Sequence, residues 1–141
     1  MIKIDSHNHI LPHTVPNFKE KFGTGGFIQL NHLPDGKADM VRDDGKFFRK
    51  VEPNCFSPEH RLEEMEQFNV DVQVLSTVPV MFSEWAKPEQ TQVVNRFLNE
   101  DIANTVAKYP KKFVGLATVP LNDPELGIKE LHYAMTDLDH L

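Results

Sequence analysis

The sequence predicts an α/β fold in which parallel strands alternate with helices, interrupted by a small antiparallel insertion after the first strand. Three observations predict it. Apolar residues recur at the strand period in Ile2-Lys3-Ile4-Asp5 and at Val70, Val72 and Val74. They recur at the helix period between Pro88 and Tyr109, where Val94, Leu98, Ile102 and Val106 share one face. The segments follow one another as strand, insertion, helix, strand, helix, strand, helix, an order that points to parallel βαβ units. About three such units make less than half of a closed barrel of about 250 residues, which leaves an open sheet or an incomplete (β/α) barrel.

The first strand runs from Ile2 into His7. From about residue 11 to 54 the pattern is irregular: Gly23, Gly25 and Gly26 break it, and Asp35-Gly36 and Asp44-Gly45 are hairpin-type turn signals. Short strands at 27–30, 39–42 and 46–51 fit between those turns. Ser57-Pro58 supplies an N-cap and a proline at the first helical position, predicting a helix from Pro58 to about Phe68. A second strand then ends near Thr77, with 78–82 as the loop beyond it. Pro110 stops the long helix, and the nearly all-apolar stretch 113–119 reads as a parallel strand covered on both faces. A last helix begins at Asp123-Pro124, with Ile128, Leu131, Met135 and Leu138 expected on its buried side.

Composition limits the function classes. With 141 residues and 40% hydrophobic content the chain fits one globular domain, 1–141. A formal net charge of −6 argues against nucleic acid or an anionic membrane as partner, because both reward clustered Lys and Arg. No apolar run approaches the ~20 residues of a membrane span, and there is no secretory leader pattern, so the expected location is the cytosol. The lone cysteine, Cys55, reads as a half-buried spectator thiol. No Gly-rich nucleotide loop, Gly-x-Ser-x-Gly elbow or Cys-x-x-Cys pair is present.

The chemistry concentrates in Asp5-Ser6-His7-Asn8-His9, at the end of the first strand. Residues two apart on a strand point to one face, so His7 and His9 can converge on one point. Two imidazole nitrogens suit Zn²⁺ or another borderline divalent ion, and the C-terminal strand ends are where barrel sites are built. The plain alternative is a pair of solvent-exposed loop histidines. The pair makes half a metal site, and none of His13, His32, His60, His132 and His140 has an evident claim to join it.

Ile4-Asp5-x-His7-x-His9 resembles the opening signature of the metal-dependent amidohydrolase superfamily. Within it, Asp44-Gly45-Lys46-Phe47-Phe48-Arg49, Cys55-Phe56-Ser57-Pro58 with Arg61 and Glu64-Met65, and Asp71-Val72-Gln73 through Phe82 are similar to the aminocarboxymuconate-semialdehyde decarboxylases. Trp85-Ala86-Lys87-Pro88-Glu89 and the stretch Tyr109 to Leu116 extend the similarity over essentially the whole chain.

That resemblance implies a partial TIM-type (β/α) barrel carrying Zn²⁺, with His7 and His9 as the first-strand metal ligands. It implies that Arg49 binds a carboxylate of a small anionic semialdehyde substrate, a task suited to the guanidinium fork. The implied reaction is non-oxidative decarboxylation of 2-amino-3-carboxymuconate 6-semialdehyde in tryptophan and kynurenine degradation, in a cytosolic homodimer. It implies further that the remaining metal ligands, the water-activating histidine and a partner-supplied arginine lie beyond Leu141. The chain is therefore expected to be an N-terminal portion that binds zinc weakly alone. Phe56-Ser57 departs from the family, which has a tryptophan and an acidic residue there. The alternatives are another amidohydrolase-type metal hydrolase, for a lactone or amide, and a non-catalytic truncated product.

Overall fold

The computed structural model describes residues 1–140. In chain order the elements are β1 (Ile4–Ile10), α1 (Phe18–Phe22), β2 (Ile28–His32), β3 (Ala38–Arg42) and β4 (Phe47–Val51). There follow α2 (Pro58–Gln67), β5 (Val72–Thr77), α3 (Pro88–Lys108), β6 (Phe113–Gly115) and α4 (Pro124–Thr136). Two three-stranded sheets result: a parallel one in the order β1-β5-β6, and an antiparallel one in the order β2-β3-β4. Consecutive parallel strands are separated by helical segments, as crossover connections require. The antiparallel strands need only tight turns, where Gly36 and Gly45 take φ of 84° and 85°.

The sheets are built on different cores. Ile10, Met65, Leu75, Ile102 and Phe113 close the parallel sheet against α2 and α3. The antiparallel sheet and α1 share a second core with the N-terminal half of α3: Phe18, Phe27, Ile28, Ala38 and Met40 pack with Val94 and Leu98. α3 therefore touches both cores, and its apolar face matches the four-residue recurrence in the sequence. Its buried polar residues were not foreseen. Thr91 Oγ1 donates to Ser83 O at 2.9 Å, Asn95 Nδ2 to Phe82 O at 3.1 Å and Asn99 Nδ2 to Thr118 O at 2.8 Å. That polar row fixes the loops that leave β5 and β6.

Four expectations need correction. β1 starts at Ile4 and runs on to Ile10, because its second half pairs with β5 up to Thr77. The insertion contains a short helix, α1, capped by Asn17 and closed by Gly23, which no strand or turn signal announced. β6 spans only three residues, and Val114 within it is half-buried rather than covered. Beyond it Leu116 N still donates to Leu75 O, but Thr118 N turns to Asn99 Oδ1 at 2.8 Å, so the chain leaves the sheet.

The fourth correction concerns α4. Ile128, Leu131 and Met135 are 69%, 48% and 45% exposed, while Gly127, Glu130 and Ala134 are buried, Glu130 against α3. The helix docks through charge rather than through its apolar stripe. Glu130 is fully buried and accepts from Arg96 Nε at 2.8 Å, Arg96 Nη2 at 2.8 Å and Asn99 Nδ2 at 3.1 Å. The Arg96 guanidinium also stacks over the Tyr133 ring at 3.5 Å. Among the described residues no helix is long and apolar enough to cross a membrane.

Candidate metal centre

β1 and β5 pair in parallel register, Asp5 with Gln73, Asn8 with Leu75 and His9 with Ser76. Three residues of β1 advance between Asp5 and Asn8 while β5 advances two, so β1 carries a bulge at Ser6-His7. Bulges bend a strand and re-aim its side chains. Here the bulge falls on the first histidine of the pair. The His7 and His9 rings lie with centroids 5.1 Å apart and planes at 89°. His7 is exposed and His9 half-buried. The structure thus brings together the two residues singled out in the sequence.

β5 holds the His9 ring. Ser76 Oγ donates its single proton to Asn8 O at 2.9 Å. Its oxygen also lies 2.9 Å from His9 Nδ1, so it accepts there. The Thr77 carbonyl, 3.1 Å from the same nitrogen, can only accept. Both partners require a proton on Nδ1, and a neutral His9 therefore directs the lone pair of Nε2 outward. A histidine that ligates a metal through one nitrogen and donates the other N–H to a carbonyl has this arrangement. The link of Ser76 and Thr77 to His9 had no sequence signal, because the contacts join residues 67 and 68 positions apart.

The donor set fits a divalent ion in kind but supplies two ligands. Among the described residues no group of three or more His, Cys, Asp or Glu side chains is placed to hold a metal. The remaining five histidines are engaged elsewhere, His132 on α4 with Nδ1 3.4 Å from Thr136 Oγ1. His13 and His32 stack at 4.3 Å and His32 Nε2 meets His13 O at 2.6 Å. His60 Nδ1 lies 3.0 Å from Ser57 Oγ at the start of α2, and buried His140 contacts Asn99 O through Nε2 at 2.7 Å. Cys55 is half-buried with a free thiol.

Arg49 sits on β4 opposite Met40, exposed to solvent. Phe48, just before it, is passed over by the register, which jumps from Met40–Arg49 to Val41–Phe47. Phe47 and Phe48 turn into a cleft of about 740 Å³ between this hairpin and the loop after β5. The cations lining that cleft are Arg42 and Lys46, and neither histidine nor Arg49 lines it. Arg42 is paired with Asp44 at 3.0 Å. The cleft's far wall is Trp85, whose indole lies against Gly26: a Cβ there would sit 2.8 Å from the ring.

The amidohydrolase family profile matches residues 4–139. The chain is 52% identical over 127 residues to the 2-amino-3-carboxymuconate-6-semialdehyde decarboxylase of Caenorhabditis elegans, covering 90% of this chain and 31% of that protein. It is 47% identical over 137 residues to the protein of the same name from Dictyostelium discoideum, covering 97% and 38%. It thus spans about a third of the length of these curated relatives. Among solved structures, a dihydroxybenzoic acid decarboxylase from Polaromonas with bound manganese aligns with a TM-score of 0.64 at 20% identity, covering 99% of this chain and 36% of that one.

Proposed function

Because the chain belongs to the amidohydrolase family, we propose that it forms the first-strand metal site of a decarboxylase acting on 2-amino-3-carboxymuconate 6-semialdehyde. The products are CO₂ and 2-aminomuconate 6-semialdehyde, with no redox change. The names of the two relatives at 52% and 47% identity support the substrate class. One observation of this structure carries the site: the His9 ring is held through Nδ1 by Ser76 and the Thr77 carbonyl, with His7 beside it.

His7 and His9 would hold the ion, and Zn²⁺ suits two neutral imidazoles completed by further ligands to four. Bound there, the ion supplies Lewis acidity and positive charge beside a substrate rich in carboxylates. The chain's own residues do the rest. Ser76 and Thr77 keep His9 in one tautomer and one orientation. The guanidinium of Arg49 grips a substrate carboxylate through two parallel N–H donors, the geometry in which arginine is selective. On a chain of net charge −6 such a local cation is needed for an anionic substrate to approach. The further metal ligands and a second cation come, in this reading, from sequence of the kind that fills the other two-thirds of the relatives, in a cytosolic homodimer.

The test combines two measurements. CO₂ release from the semialdehyde is followed with zinc-loaded and chelator-treated protein, and calorimetry follows binding of benzene-1,3-dicarboxylate to the wild type and Arg49→Ala. Slow, metal-dependent CO₂ release and at least about tenfold weaker dicarboxylate binding by the variant, the loss of a charge-assisted pair, are expected. CO₂ release indifferent to chelation contradicts the metal's part in the reaction, and equal binding by Arg49→Ala contradicts the role of that residue.

A further inference from the structure

Arg61 is 8% exposed on α2, yet it takes part in none of the ion pairs among the described residues. Its Nη2 donates to His9 O at 2.8 Å and to Asn54 O at 2.9 Å, and Nη1 donates to Gln73 Oε1 at 3.3 Å. Nε is buried without a partner. Burial holds its pKa below the ordinary value. Glu64 and Asp5 offset that burial through charge without bonding the guanidinium, whose hydrogen bonds all go to neutral oxygens; an apolar side chain of similar volume would avoid the desolvation cost.

The three acceptors share a location. His9 O belongs to the histidine whose ring β5 orients. Gln73 lies on β5 opposite Asp5, at the start of the β1 bulge. Asn54 sits in the 3₁₀ turn Pro53–Cys55, three residues past the end of the strand that carries Arg49. The same turn meets β1 again just past its end, where Leu11 N donates to Cys55 O at 2.8 Å. The fork of Arg61 therefore ties the end of β1, the β5 residue beside the start of the bulge and the exit of the hairpin to one helix.

Resting on the reading of His9 as a metal ligand, we infer that Arg61 is a positioning residue of the centre. It fixes the His9 backbone so that the ring meets Ser76 and Thr77 with Nε2 directed outward, and it couples that strand end to the Arg49 hairpin. Outer contacts that orient ligating histidines typically change metal affinity about 10- to 100-fold when removed.

The experiment compares wild type with Arg61→Met, which keeps the apolar stem and removes the donors, and with Arg61→Lys, which keeps the charge and loses the fork. Arg96→Met serves as a control that breaks the ion pair of the buried Glu130 between α3 and α4. Two readouts are taken: ring ¹⁵N shifts of His9 in metal-free protein, and zinc affinity by competition with a chromogenic chelator. The inference predicts an Nδ1–H signature in wild type and Arg96→Met, a mixed-tautomer signature in Arg61→Met, and zinc binding weakened at least about tenfold in that variant alone. Arg61→Lys falls between and carries the test if Arg61→Met does not fold. Arg61 variants with wild-type ring shifts and wild-type zinc affinity, losing only thermal stability, would overturn it. If wild type binds no zinc at all the metal reading fails, and the His9 shifts still decide the role of Arg61.

Discussion

Replacing Asp101 by asparagine should stabilise the protein at neutral pH, and the gain should disappear in acid. Asp101 lies half-buried on α3, and burial pushes its carboxyl up from the ordinary 3.8 to about 6. The folded state thus keeps a proton that the unfolded chain releases above about 3.8. Between those values the unfolded chain binds fewer protons, so this group lowers stability as pH rises from 3.8 to 6 and exerts its full penalty above that. The difference between about 6 and 3.8 corresponds to about 3 kcal/mol at ~1.4 kcal/mol per pH unit. Water reaching a half-buried carboxylate screens part of that, and asparagine keeps the shape without the charge, so a gain of about 1–3 kcal/mol is expected at pH 7.5. Urea denaturation of both proteins at pH 7.5, 6, 5 and 4 measures it, and the seven histidines cancel because both proteins carry them. A difference that does not change with pH, or an asparagine variant less stable at pH 7.5, would refute the argument.

Arg96→Met should cost about 3 kcal/mol or more, because it leaves the fully buried Glu130 carboxylate with Asn99 as its remaining partner. Thermal melting checks it, and a loss below ~1 kcal/mol would show that α4 does not depend on the pair. Gly26→Ala should destabilise the hairpin by about 1–3 kcal/mol, since φ at Gly26 is 119° and the added methyl meets the Trp85 indole. Trp85 is the only tryptophan, so its emission should shift in the same variant; an unchanged spectrum and melting point would contradict the contact.

How far the sequence discloses this molecule depends on how local the signal is. The hairpin strands were legible because Asp35-Gly36 and Asp44-Gly45 name their own turns, and α3 because its apolar face repeats over many turns. The apolar stripe of α4 misled, since Ile128, Leu131 and Met135 stay largely exposed and the ion pair of the buried Glu130 with Arg96 docks the opposite face. The run 113–119 carries no period that marks where a strand stops; Asn99, on another element, decides that. His7 and His9 stood out through their spacing and their place at the end of the first strand. The holds that Ser76, Thr77 and Arg61 have on His9 did not, because each comes from 52 to 68 positions further along the chain and exists only once β1, β5 and α2 are in place.

The most direct test of the metal centre is a zinc titration of this chain beside a His7→Ala, His9→Ala double variant, read by competition with a chromogenic chelator. Weak but saturable binding of one zinc per chain, lost in the double variant while its fold is retained, is the predicted result. Equal binding by both proteins, or no saturable binding by the wild type, would contradict the assignment of this strand end as a metal site.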